Sequence, residues 1–128
     1  MILALRRCID DWRYSLFNSS NHTCEITGEH TYNLVVHHMY SFADIVRMSS
    51  KETGIPLRRN INDYSEDEWK TLSECVVKNN ELYADPIVMR ADVHKAFHMF
   101  CGGFQKPTTH EQLNVFKEFI EFFLEKAG

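Results

Sequence analysis

Residues 85–100 read Asp-Pro-Ile-Val-Met-Arg-Ala-Asp-Val-His-Lys-Ala-Phe-His-Met-Phe, and the change of period inside this stretch decides the fold. Pro86 to Arg90 reads as a short strand, with proline at the first position, where a missing N–H is tolerated. From Asp92 to Phe100 the apolar residues Val93, Ala96, Phe97 and Phe100 recur three and four apart, the spacing of one helix face. Gly102-Gly103 ends that helix. A strand thus feeds a helix on which His94 and His98, at i and i+4, project from the same side.

Working outward, Leu34-Val35-Val36-His37-His38 reads as a second strand, and Thr23-Cys24-Glu25-Ile26 before the turn Thr27-Gly28-Glu29 reads as its hairpin partner. Residues 2–18 place Ile2, Leu5, Cys8, Ile9, Trp12 and Leu16 at helical spacing. Phe42, Ile45, Val46 and Met48 mark another helix stopped by Gly54, and residues 55–63 read as a loop. Ser65 and Glu68 form a capping box ahead of Trp69, Leu72 and Val76. Thr108 and Glu111 form a second box before a single last helix carrying Leu113, Phe116, Phe119, Ile120 and Phe123. Helix, hairpin, helices, strand, helix, helix makes a small α+β domain over residues 1–128.

The chain has 14 lysines and arginines against 18 aspartates and glutamates, a formal charge of −4. That excludes a generic basic coat for nucleic acid, whose affinity comes from neutralising phosphates, but not an enzyme that touches DNA through a metal and a few arginines. The apolar run Leu34–Val36 is too short to span a bilayer, and no signal-peptide core follows Arg6-Arg7. The expectation is a soluble, cytoplasmic protein without membrane contact. Cys8, Cys24, Cys75 and Cys101 form no CxxC pair and read as free thiols.

Two imidazoles one helical turn apart are a usual way to reach one divalent cation. Strand alternation turns His37 and His38 to opposite sides, which suits a metal ligand and a neighbouring general base. A histidine near aromatic residues is more often a packed residue than a ligand, so neither pair says much by itself. Their order carries more: a strand ending in His-His, then a strand, then a helix with His-x-x-x-His.

That order resembles the ββα-metal finger of HNH endonucleases of the phage and homing type. The flanking residues agree: Trp12-Arg13, then Cys24-Glu25-Ile26-Thr27-Gly28; Val36-His37-His38-Met39-Tyr40-Ser41-Phe42; Val93-His94-Lys95-Ala96-Phe97-His98 with Gly102-Gly103; and a trailing helix with Thr109, Gln112, Leu113, Phe116 and Phe119. The resemblance covers residues 12–119. It implies finger strands at about 34–38 and 86–90 and a finger helix at 92–100; the excursion at about 39–84, which the finger does not require, is a departure too long for a loop and is expected to be a helical insertion. It further implies His37 and His94 as ligands of one divalent metal (Mg²⁺, Mn²⁺, Ni²⁺ or Zn²⁺), with His98 a further ligand or a phosphate contact. His38 takes the place of the general base.

The middle asparagine of the family signature falls on Asp85, a carboxylate that could orient the His38 ring, with Asn79 and Asn80 as alternatives if the register differs. Of the four cysteines that bind a structural zinc in many members only Cys24 is present; Thr27, Arg90 and Val93 stand in the other places, so no structural zinc is expected. The hairpin would then be held through Ile26, Leu34, Val36 and the aromatics of the last helix. Arg13, Arg58, Arg59, Arg90 and Lys95 are the expected phosphate contacts on DNA. The C-terminal helix would serve a homodimer or a protein partner. The rival expectation is an HNH-derived module that binds DNA or protein without cleaving, favoured by the acidic balance, by the missing zinc knuckle and by Asp85 where asparagine is expected.

Overall fold

The computed structural model of the protein describes residues 2–127, with side chains from residue 4 to residue 124; the side chain of Ile2 lies outside the described residues. The fold is α+β. In chain order it has α1 (Ile2–Arg6), a 3₁₀ turn (Arg7–Ile9), α2 (Asp10–Ser19), β1 (Leu34–His38), α3 (Phe42–Thr53), a second 3₁₀ turn (Ile61–Asp63), α4 (Glu66–Tyr83), β2 (Pro86–Arg90), α5 (Ala91–Phe100), α6 (His110–Glu118) and α7 (Ile120–Ala127). No described helix is long and apolar enough to cross a membrane. The chain divides into two compact units: residues up to Tyr14 with Tyr40–Asp85, and Ser15–Met39 with the residues from Pro86 onward.

In the first unit, Leu5 and Ile9 join Phe42, Ile45, Val46, Leu72 and Val76 in a buried core. The expected Ser65 box is present: Glu68 N–H donates to Ser65 Oγ at 3.1 Å and Ser65 N–H to Glu68 Oε1 at 3.0 Å. Gly54, at φ 73°, closes α3 in the left-handed region that glycine enters without penalty. One polar seam joins α3 to α4. Glu52 accepts from Cys75 Sγ, Lys78 Nζ and Asn79 Nδ2, and Asn79 also donates to Ser49 Oγ at 2.9 Å.

In the second unit β1 pairs antiparallel with β2, His37 opposite Ile87 and His38 opposite Pro86. This corrects the expected hairpin between residues 23–26 and 34–38. Thr23-Cys24-Glu25-Ile26 offers too little apolar surface to compete with Ile87-Val88-Met89 for β1, and it curls on itself instead. Cys24 N–H donates to Glu29 O and Gly28 N–H to Cys24 O, both at 2.8 Å, leaving one bridge between Thr23 and His30. The curl meets β2 through Glu25, whose N–H donates to Val88 O while its carboxylate accepts from Val88 N–H.

Cys24 is fully buried, and its sulfur accepts from the N–H groups of Thr27 (3.5 Å) and Arg90 (3.3 Å). Arg90 then clamps the curl to the start of α5, donating to Glu29 at 2.7 Å and to both oxygens of Asp92. The core holds Met89, Val93, Phe97, Leu113 and Phe116, with Ile26 and Leu34 packed against it; Val36 is not part of it.

Two expectations about the last helix are corrected. Its cap is Thr109 with Gln112, not Thr108 with Glu111, because the Thr108 hydroxyl bonds elsewhere. The helix also breaks at Phe119 (φ −123°, ψ 22°) into α6 and α7, which turns Phe119 outward while Phe116 stays buried. Phe116→Ala should therefore lower the unfolding free energy by about 3–5 kcal/mol, and Phe119→Ala by under about 1 kcal/mol. Urea unfolding of the two variants reads the difference; equal losses would put both rings on one buried stripe.

Candidate metal centre

The β1–β2 register and the direct passage from Arg90 into α5 bring three histidines together. His37 is 3 % exposed at the end of β1, with the Phe97 ring against its edge. His94 and His98 reach it from successive turns of α5. His94 Nε2 lies 3.1 Å from His37 Nδ1 and 3.0 Å from His98 Nε2, and one ligand atom from each histidine lies within 4.8 Å of the others. This cluster can hold a metal ion.

The geometry of an imidazole nitrogen makes that fit specific. Each ring nitrogen has one in-plane position, filled either by a hydrogen or by a lone pair. His94 Nε2 has two nitrogen neighbours at contact distance, so at most one of them can be its hydrogen-bond partner. A cation about 2.1 Å from each nitrogen separates neighbouring donors by about 3.0–3.4 Å and lets all three lone pairs point at one centre.

The protonation states agree. Burial first, then the neighbouring histidines, push the His37 pKa down to about 3 and the His94 pKa to about 4; His38 contributes to both. Burial lowers His98 as well. All three are neutral near pH 7, the form that ligates.

Thr108, which the sequence reading placed in a helix cap, supports the first ligand. Its Oγ1 lies 2.9 Å from His37 Nε2, and its hydroxyl donates toward Met39 Sδ at 3.9 Å. The oxygen therefore accepts from His37 Nε2–H, which leaves the Nδ1 lone pair facing the cluster. An outer partner of this kind fixes the tautomer of a ligating histidine. His98 Nδ1 is buried with no partner among the described residues, so its ring lacks such support. Phe104 stacks on its face at 4.5 Å between ring centres. The local sequence shows no sign of Thr108's role, because the contact spans 71 positions.

His38 is half-buried beside the cluster and outside its set of ligand atoms. Asp85 is exposed at φ 47°, a left-handed conformation that aspartate tolerates better than most residues. Asn79, the alternative for the middle position, is committed to Ser49 and Glu52 in the other unit, and Asn80 is buried on the same helix. Among the basic residues, Arg13 pairs with Asp10, Arg58 forms a fork with Glu68 at 2.9 and 3.0 Å, and Arg90 holds Glu29 and Asp92. Arg59 and Lys95 are exposed and make no ion pair among the described residues. No family model, no curated protein and no solved structure matches the chain.

Replacing Thr108 by Val should weaken Zn²⁺ or Ni²⁺ binding about 10–100-fold with the fold intact; competition against a chromophoric chelator measures it. In the metal-free protein, His37 and His94 stay neutral to about pH 4 or below, while the unfolded chain protonates them below about 6.5. The unfolded state then binds more protons, so their contribution is complete above pH 6.5 and is lost as pH falls toward 4, by up to about 1.4 kcal/mol per pH unit per histidine. Urea midpoints in EDTA across that range should fall more steeply for the wild type than for a His37→Gln, His94→Gln double variant.

Proposed function

We propose that this chain is a metal-dependent DNA endonuclease of the HNH type, with β1, β2 and α5 forming its ββα-metal finger. The observation that carries the reading is the convergence of His37, His94 and His98 around a single point, on the strand and helix where the family resemblance expects ligands. Three neutral imidazoles form a nitrogen donor set that favours Zn²⁺, Ni²⁺ or another late divalent ion over Mg²⁺, which prefers oxygen ligands. A divalent cation held there would supply Lewis acidity at the scissile phosphate and its leaving oxygen.

The chain's own residues have the remaining tasks. His38, next to the ligand His37 on the strand, takes a proton from water as the oxygen attacks phosphorus. The bond from phosphorus to the 3′ oxygen breaks, and that oxygen takes a proton from solvent water as it leaves, giving a 5′-phosphate and a 3′-hydroxyl. The family resemblance gives Asp85 the task of a carboxylate that orients the general base's imidazole, a group that would stabilise the protonated ring. Lys95, one residue from His94 with its ammonium unpaired among the described residues, is the first candidate for a phosphate contact, and Arg59 the second. Arg13, Arg58 and Arg90 would have to exchange a carboxylate for a phosphate. The engagement of these three arginines by carboxylates and the net charge of −4 are what favour the second reading, a module of this type that binds without cleaving.

A supercoiled plasmid incubated with Zn²⁺, Ni²⁺, Mn²⁺ or Mg²⁺ separates the two. Under the nuclease reading at least one ion supports nicking, His38→Ala lowers the rate about 10²–10⁴-fold while metal binding persists, and His94→Ala loses both. Intact plasmid with every ion, or equal cutting by His38→Ala, would overturn the catalytic reading.

A further inference from the structure

Beside the histidine cluster stands an exposed aromatic ring that neither metal binding nor hydrolysis uses. Phe104 is 62 % exposed. One face of its ring lies on His98, with ring centres 4.5 Å apart and planes 25° from parallel, and His94 meets it edge-on at 6.2 Å. The loop that carries it is built to hold that pose. Gly102 and Gly103 adopt φ 101° and 121°, which side-chain-bearing residues rarely enter, and a Cβ on Gly102 would come within 3.3 Å of Lys106 Cγ. Gly103 N–H donates to His98 O at 2.7 Å and Lys106 N–H to Gly103 O at 3.1 Å. The ring is thus fixed by a short hydrogen-bonded turn, with one face against a histidine of the cluster and its surface mostly open to solvent.

From this geometry we propose that Phe104 is a stacking platform for an unpaired nucleobase, and that the site acts on DNA with a single-stranded or locally unpaired nucleotide. The proposal rests on the nuclease reading for the identity of its polymer. Bases stack on exposed aromatic rings whatever their sequence. In a paired, stacked duplex the base faces are covered, so the platform can engage only a nucleotide that has left the stack. The charge distribution points the same way. Arg13, Arg47, Arg58, Lys78 and Arg90 are each paired with a carboxylate, and a chain with a net charge of −4 draws little affinity from phosphates alone. A stacking contact supplies affinity that salt does not screen.

The test is fluorescence anisotropy of labelled oligonucleotides with the full chain in EDTA, so that cleavage does not consume the probe. A single strand, a blunt duplex and a duplex with a one-nucleotide gap are compared for wild type, Phe104→Leu and Phe104→Trp. Leucine keeps an apolar cover on His98 without the aromatic face, and tryptophan enlarges that face. The expected result is preference for the single strand and the gap over the blunt duplex, a loss of about five- to a hundredfold with Phe104→Leu, and retention with Phe104→Trp. The preference should persist at high salt, and unfolding midpoints should match among the three proteins. Equal affinity for blunt and unpaired DNA, unchanged affinity in Phe104→Leu, or no binding to any probe would overturn the proposal. The nuclease reading is judged separately by plasmid nicking: stacking without cutting would leave Phe104 as the contact of a binding module, and cutting without stacking preference would remove only the platform.

Discussion

An imidazole nitrogen can serve one neighbour, and His94 Nε2 is crowded by two. Much of the second unit can be understood as the means of imposing that crowding. The antiparallel register sets His37 opposite Ile87, so the histidine ring enters the interior and loses the water that would stabilise its charged form. Helix α5 begins at the residue after β2, which leaves no flexible linker to relax the distance between strand and helix. The Arg90 clamp to Glu29 and Asp92 fixes the same corner from outside. Neutral lone pairs held close in a partly buried cluster are a poor arrangement for stability alone and a favourable one for capturing a cation.

The parts of this design visible in the sequence are those encoded by local period. The change from strand to helix at residues 86–100, the Ser65 cap and the Gly54 stop each depend on a few neighbouring residues, and each is found in the structure. The three histidines could be singled out because two lie on one helical face and the third ends a strand. What failed needed knowledge of competition between distant segments. The stretch 23–26 looks like a strand until β2, far along the chain, proves the better partner for β1. Thr108 and Thr109 are equivalent by cap rules, since each has Glu or Gln three positions on; only the distant His37 ring separates them. Phe119 continues an apolar stripe by spacing, and the backbone break after Glu118 removes it from that stripe.

The basic residues show a related limit. A sequence lists charges, whereas a fold assigns them partners. Arg58 and Arg90 look available for phosphate, yet the first is held by both oxygens of Glu68 and the second by two carboxylates. Lys95 and Arg59 keep unpaired charges among the described residues. The contrast matters for function because an ion pair must be broken before its arginine can meet DNA.

Strands β1 and β2 are separated by the whole excursion through α3 and α4, and closing an unstructured loop of that length carries about 2 kcal/mol more entropy cost than closing a short turn. Yet Tyr40 N–H reaches Ala84 O, 3.3 Å away, at the two ends of that excursion. With α3 and α4 packed in the core they share with Leu5 and Ile9, the segment presents its entrance and exit as neighbours. The sheet can then zip as though joined by a tight connection. In the native fold, α3 and α4 thus act as a splice that turns a pairing distant in sequence into one between neighbouring ends.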